Sequence, residues 1–172
     1  MTEIQRNRRW RRAPKRRSTL ITLVAAAAIL TMSAACASET TGAATTGEPW
    51  GTNTVLPADL VKELAGEGGV DKPVIVCTAP PFLYRTARIP GAVLHGPASS
   101  PEALNELTTW ARTLPRSASL VIYCGCCPLS DCPNLRPAYT ALKDLGLSHV
   151  RVLLLQDSFR ADWIERRYPV ER

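Results

Sequence analysis

Apolar runs and helical stripes alternate along the chain from about residue 56 to its end. Short apolar, β-branched runs, typical of strands buried in a parallel sheet, occur at residues 73–77, 89–94, 119–124 and 150–155. Helices are predicted around them, at residues 56–66, 101–114, 134–145 and 159–166. Because strands alternate with helices, we expect βαβ units and an α/β sandwich whose mainly parallel sheet is flanked by helices.

Three of these segments lead to expectations about single residues. Asn134 is suited to be the N-cap of the helix at 134–145, and Gly146 follows its end. The sequence of residues 79–81, Ala-Pro-Pro, is predicted to stop the first strand. The helix at 101–114 has a stripe that should face the core. The stripe consists of Leu104, Leu107, Trp110, Ala111 and Leu114.

The positive charge of the chain is concentrated at its beginning. Residues 1–17 hold eight arginines and lysines and one glutamate, a net charge of +7, whereas the whole chain carries +6. The remainder therefore stands at −1, and it lacks the basic surface that a nucleic-acid partner requires. We expect no nucleic-acid binding.

An uncharged segment follows the basic head. Residues 20–30 are strongly apolar, and small residues follow as far as Ala37, so residues 1–37 have the pattern of a secretory signal. Residues 33–36, Ser-Ala-Ala-Cys, resemble a lipoprotein box, in which Cys36 is lipidated; cleavage after Ala37 and an uncleaved anchor are the alternatives. We expect an exported protein, periplasmic or in the cell envelope, that meets the membrane surface through its signal or lipid anchor.

The remaining chain divides into a linker and one domain. Residues 38–54 are rich in Ser, Thr, Gly and Ala, as in a flexible linker, and residues 55–172 form the predicted domain. A domain outside the cytoplasm is allowed to form disulfides, which affects how its cysteines are interpreted.

Four of the six cysteines lie within nine residues, between the third strand and the helix at 134–145. In open parallel sheets, ligands bind beyond the carboxyl ends of the strands, and Cys124 is placed at such an end. Backbone N–H groups and the positive end of the helix lower the pKa of a thiol there. Cys124 is therefore the preferred nucleophile and Cys132 the second choice. The predicted active-site loop comprises Cys124, Gly125, Cys126, Cys127, Ser130, Asp131 and Cys132.

Two other interpretations of the cysteines stay open. Without Cys36 the count is odd, which fits two disulfides and one free thiol, with Cys77, Cys126, Cys127 and Cys132 as disulfide or resolving partners. A soft metal is the other interpretation, although adjacent cysteines are poor ligands for one ion.

Several other polar residues lie near the loop. Arg136, in the first turn of the following helix, is a candidate for binding an anionic substrate. Ser130 and Asp131 are better suited to cap the loop than to catalyse a reaction. No metal and no cofactor are assigned.

Residues 56–170 resemble a rhodanese-like domain. The resemblance implies a small α/β sandwich and sulfurtransferase activity similar to that of thiosulfate sulfurtransferases, without a cofactor. It implies that Cys124 takes sulfane sulfur from a small sulfur-containing substrate as a persulfide and passes it to a thiol acceptor. The segments that carry the resemblance, in order, are 74–77, the Arg-Ile-Pro-Gly-Ala of 88–92, 121–124, 136–146, and Trp163 with 168–170.

The loop departs from the family pattern, because it is longer and holds three additional thiols. Two alternatives to a sulfurtransferase follow from this departure. One is a non-catalytic rhodanese-like module that binds a soft metal or a partner through the loop. The other is a thiol–disulfide oxidoreductase that uses Cys124 and Cys127.

Overall fold

The structure is a computed structural model and describes residues 47–69 and 72–172. The predicted signal at 1–37, the lipidation of Cys36 and the first part of the linker lie outside the described residues and stay predictions. Within 47–69 and 72–172, no helix has both the length and the apolar character needed to cross a membrane.

A five-stranded parallel sheet forms the centre of the domain, which confirms the predicted α/β architecture. The strand order is β1-β5-β4-β2-β3. The strands are β1 (Thr54–Val55), β2 (Val74–Cys77), β3 (Val93–Leu94), β4 (Ser119–Tyr123) and β5 (His149–Leu153).

Four α-helices accompany the sheet, and α4 packs against α3, β4 and β5. The helices are α1 (Pro57–Ala65), α2 (Pro81–Thr86), α3 (Pro101–Ala111) and α4 (Leu135–Asp144). Two 3₁₀ turns, at Glu67–Gly69 and Leu129–Asp131, and a π-helical turn at Arg160–Ile164 complete the elements.

Strand β4 is buried along its length because neighbouring strands occupy both of its edges. Leu120, Val121 and Ile122 have no exposed surface, as expected of a continuous apolar run in a parallel sheet. Its register with β2 places Tyr123 beside Cys77, so both strands end at the same edge of the sheet. This edge is where the chain continues into the cysteine-rich loop.

Helix α2 was not expected, since residues 79–81 were predicted only to stop β2. The two prolines instead begin the helix, with Pro80 at its N-cap and Pro81 as its first residue. Proline is favoured there because its missing N–H would have no partner within the helix. Residues of helix α2 form part of the wall of the cavity described below.

The predicted core-facing stripe of α3 packs against the core. Leu107 and Ala111 are buried, and Leu104 and Trp110 are half-buried against the core, as is Leu114 beyond the end of the helix. Ala103 is buried in addition. Helix α3 also contacts α4.

The folded part begins before residue 55, which shortens the predicted linker. The Trp50 side chain is 2% exposed and packs edge-to-face on Tyr139, with ring centroids 6.0 Å apart. Thr54 and Val55 pair with β5. A two-residue strand carries no readable period, and for this reason the sequence pattern missed it.

Candidate active site

Cys124 directly follows β4, and its side chain is 3% exposed. Gly125 then turns the chain with a φ of +70°, and its carbonyl oxygen accepts a hydrogen bond from the Phe159 N–H at 3.1 Å. A Cβ on Gly125 would lie 2.5 Å from the Phe159 Cβ and 2.7 Å from the Phe159 nitrogen. Only glycine fits here, because both the backbone angle and the close approach exclude a side chain.

The loop gathers four thiols in a small volume. The Sγ of Cys126 lies 3.1 Å from that of Cys124 and 3.2 Å from that of Cys127. The Sγ atoms of Cys124, Cys126 and Cys132 all lie within 4.8 Å of one another. Seven residues separate Cys124 from Cys132 in the sequence, and the 3₁₀ turn Leu129–Asp131 brings the two together.

Asn134 is buried beneath these thiols, and sequence reasoning missed this role. Its Nδ2 donates to the Sγ of Cys124 at 3.4 Å and to that of Cys126 at 3.7 Å. Its Oδ1 accepts from the Ser99 N–H at 2.9 Å, which fixes the amide orientation. The expected side-chain N-cap of α4 is therefore wrong, because the Asn134 side chain turns inward instead of folding back on the helix.

Cys132, rather than the Asn134 side chain, interacts with the backbone at the beginning of α4. Its Sγ accepts hydrogen bonds from the backbone N–H groups of Asn134 and Leu135, at the beginning of α4. A sulfur atom in this position satisfies unpaired donors of the helix end, and these donors stabilise a thiolate.

The thiols of Cys124 and Cys132 are close enough for each to shift the pKa of the other. The hydrogen bond from the Cys124 thiol and those from the α4 N–H groups lower the pKa of Cys132 to about 6. The same contact with Cys132 and burial raise the pKa of Cys124 above its ordinary value. At neutral pH the pair therefore carries a single negative charge, and moving the proton of Cys124 to Cys132 places that charge on Cys124.

The thiols of Cys127 and Cys77 stay protonated at neutral pH. Partial burial and the neighbouring Cys126 thiol raise the pKa of Cys127 to about 12. Burial also raises the pKa of Cys77, which is 1% exposed.

A cavity of about 670 Å³ opens on Cys124, Gly125 and Cys126. Its walls are mostly apolar and come from α2 and from the segment around the π-helical turn, including Leu83, Tyr84, Phe159 and Ile164. Cys132 and Cys127 do not line it. The cavity therefore exposes one side of Cys124, while Cys132 approaches Cys124 from outside the cavity.

Two arginines line the cavity. Arg160 pairs with Glu165 at 3.1 Å. Arg167 has a φ of +61°, and no carboxylate within the described residues lies within 4.0 Å of it. Arg167 is thus the cation best placed to attract an anion into the cavity.

No protein-family model matches the chain, and no curated protein matches it. Several solved structures, in contrast, are similar to the chain. The Alr3790 protein from Anabaena sp. aligns with a TM-score of 0.52 at 20% identity, over 68% of this chain and 90% of that one. A rhodanese-like domain of Alr3790 in solution gives 0.51 at 19%, over 69% and 78%. The chain has the rhodanese-like fold.

A third structure with this fold contains a sulfur species on a cysteine. EanB, in a state with a cysteine persulfide, a tetrahedral intermediate and ergothioneine, aligns with a TM-score of 0.50 at 21% identity. The alignment covers 69% of this chain but only 28% of EanB. At this identity the likeness shows the fold alone, and the chemistry has to be argued from the loop itself.

Besides Cys127 and Cys132, three of the predicted site residues lie away from the cavity of this rhodanese-like domain. Arg136 forms an ion pair with Glu48 at 2.7 Å, and its exposed side chain does not line the cavity. Its predicted role in anion binding is not supported, because the first turn of α4 directs it towards Glu48. Ser130 and Asp131 are exposed, and within the described residues their side chains form no hydrogen bonds, so they do not cap the loop.

The five described cysteines are all free, so the disulfides inferred from the odd count are not formed among them. Cys77 is 1% exposed and lines the same cavity as Cys124 and Cys126, and its thiol contacts Tyr123. The thiol closest to Cys124 is that of Cys126, and Cys127 contacts Cys126, so the Cys124–Cys127 pair of the oxidoreductase alternative is not brought together. Cys124, Cys126 and Cys132 are the residues that could hold a soft metal ion.

Proposed function

We propose that this rhodanese-like domain is a sulfurtransferase that carries sulfane sulfur as a persulfide on Cys124. One observation carries the proposal: Cys124 opens on the cavity while its Sγ lies within 4.8 Å of that of Cys132, whose pKa is lowered to about 6. A nucleophile needs both an accessible sulfur and a base that removes its proton, and the arrangement supplies both.

The transfer begins when the proton of Cys124 moves to Cys132. The Cys124 thiolate then attacks the outer sulfur of a donor in the cavity, and the S–S bond of the donor breaks. With thiosulfate as donor, sulfite leaves with the electron pair of that bond, and the persulfide remains on Cys124. The Asn134 amide, 3.4 Å from the Cys124 Sγ, supports the negative charge throughout.

The cavity suggests the properties of the donor and acceptor. Its mostly apolar walls and its volume of about 670 Å³ leave room for a donor larger than thiosulfate or for an organic thiol acceptor. Arg167 favours anionic molecules. We also propose that the reaction takes place outside the cytoplasm, which the pattern of residues 1–37 supports. Recovery of the full-length chain from the cytoplasmic fraction alone would contradict this location.

Mass spectrometry of the full-length protein tests the proposal. After treatment with thiosulfate, one sulfite should be released for each chain, and the peptide that contains Cys124 should gain one sulfur atom when the persulfide is trapped by alkylation as soon as it forms. The Cys124→Ser variant should show neither, whereas Cys127→Ser, a change at a neighbouring half-buried thiol, should behave as the unmodified protein does. An adduct that persists in Cys124→Ser refutes Cys124 as the carrier. One equivalent of copper or zinc bound to thiols that thiosulfate does not modify would favour the metal-binding alternative.

A further inference from the structure

The position of Cys132 relative to the cavity suggests a second step at the same site. Cys124 borders the cavity, and a sulfane sulfur attached to it extends into that space. Cys132 does not line the cavity, yet its Sγ lies within 4.8 Å of that of Cys124. Displacement at sulfur requires the nucleophile to approach from the side opposite the leaving group. Cys132 is a nearby thiol outside the cavity into which the outer sulfur would leave.

We propose that Cys132 attacks the Cys124 sulfur of the persulfide, so that sulfide is released into the cavity and a Cys124–Cys132 disulfide forms. This inference rests on the proposed function and names the fate of the persulfide: the protein acts as a persulfide reductase that releases sulfane sulfur as sulfide. An external dithiol then reduces the disulfide and becomes oxidised in its place.

Atoms and electrons balance in this step. The proton that Cys132 accepted during loading passes to the outer sulfur of the persulfide. The Cys132 thiolate then forms a bond to the Cys124 Sγ, and the bond between that Sγ and the outer sulfur breaks. The outer sulfur leaves as HS⁻ with the electron pair of the broken bond. The sulfane sulfur is reduced by two electrons, and the two cysteines are oxidised to the disulfide. No further proton or oxidant is required.

Attack at the Cys124 sulfur is favoured over attack at the outer sulfur. Attack at the outer sulfur expels a Cys124 thiolate, which is a poor leaving group because burial and Cys132 raise its pKa. Attack at the Cys124 sulfur expels HS⁻ into the cavity, where water can reach it. Because HS⁻ has a lower pKa than the Cys124 thiol, attack at the Cys124 sulfur is the faster of the two attacks.

Cys126 is less suited to this attack, although its Sγ lies 3.1 Å from that of Cys124. Cys126 borders the cavity, on the side where the outer sulfur projects and the leaving group departs. Cys132 must move only a short way, because the two Sγ atoms lie within 4.8 Å and a disulfide bond is about 2.05 Å long. The half-buried loop between Cys126 and Cys132 includes exposed residues at both Pro128 and Ser130, which leaves it room to adjust.

The experiment follows sulfite and sulfide separately. The reduced full-length protein, freed of external thiols, is treated with one equivalent of thiosulfate under anaerobic conditions. Sulfite reports the loading of Cys124, sulfide reports the second step, and peptide mapping locates any disulfide. Cys132→Ser is compared with Cys127→Ser, a change in the same loop, and circular dichroism verifies that both variants are folded.

We expect the unmodified protein and Cys127→Ser to release sulfite, then sulfide, and to acquire a Cys124–Cys132 disulfide. In Cys132→Ser, sulfide release should fall by at least about a hundredfold, because an intramolecular nucleophile is lost, while the persulfide accumulates. Addition of an external dithiol should restore sulfide release in this variant.

Two results overturn the inference while leaving the proposed function intact. One is an unmodified protein that releases sulfite but keeps its persulfide; the other is a disulfide that joins Cys124 to Cys126. Absence of sulfite from the unmodified protein overturns both proposals. Mapping of the disulfide in the unmodified protein decides the matter even if Cys132→Ser does not fold.

Discussion

Substitution of Gly125 by alanine tests how the loop is held at the end of β4. Two costs are expected. A non-glycine residue in the left-handed region costs about 1–2 kcal/mol. The new Cβ would lie 2.5 Å from the Phe159 Cβ and 2.7 Å from its backbone nitrogen, and such overpacking costs about 1–3 kcal/mol. The free energy of unfolding should therefore fall by about 2–5 kcal/mol.

Gly91→Ala is the matched control, because Gly91 has a φ of +73° and no atom within 4 Å of the site of its Cβ. It should lose only the first contribution. Urea unfolding of the reduced full-length protein measures the difference. With a slope of about 2 kcal/mol/M, the midpoint of Gly125→Ala should fall about 1 M further than that of Gly91→Ala. Equal midpoints would show that Phe159 yields easily, and that Gly125 is required only for its backbone angle.

The remaining predictions concern charge at the site and in the domain. Alkylation of the Cys124–Cys132 pair by iodoacetamide should accelerate as the pH rises through about 6, since below this pH both thiols are protonated, whereas Cys127 should respond only towards about pH 12. In Asn134→Asp, a carboxylate replaces the amide that donates to Cys124, so the midpoint of that profile should rise by about one unit or more; an unchanged midpoint would contradict the contact. Arg167→Ala should slow loading by thiosulfate by up to about tenfold, whereas Arg136→Ala should leave its rate unchanged; the reverse order would restore Arg136 as the anion-binding residue. Glu63→Gln breaks the half-buried bidentate pair with Arg151 and should cost about 1 kcal/mol in urea unfolding, while the change at the neighbouring exposed Lys62, Lys62→Gln, should cost almost nothing; similar losses for both would argue against a role for the bidentate geometry.

The buried strands β2, β4 and β5 and the position of Cys124 could be predicted because they depend on local pattern. The run at 119–124 is apolar without interruption, and such a strand belongs in the middle of a parallel sheet. Parallel strands place their carboxyl ends at one edge of the sheet, so the position of Cys124 at that edge follows from the sequence. The pattern fails at β1, where two residues are too few to show alternation.

The interior of the site depends on side-chain directions that no sequence pattern encodes. Asn134 has a sequence position typical of an N-cap, yet its side chain turns towards the thiols, because its oxygen has a partner in the Ser99 N–H. The sulfur of Cys132 then occupies the place left at the helix end. The far wall of the cavity, including Arg167, is more than thirty residues away along the chain from Cys124, and only the fold brings the two together.

The short strand β1 also protects the outer edge of the sheet. The Val152 N–H donates to the Asn53 carbonyl oxygen, and the Leu154 N–H donates to that of Val55, each at 3.0 Å. Without residues 53–55, β5 would offer these unpaired donors beside an apolar strand, and an open edge of this kind pairs readily with another chain. A protein trimmed at residue 56 should therefore aggregate with rising concentration while its cysteine loop is still intact, so the segment resembling a spacer in sequence guards the solubility of the domain.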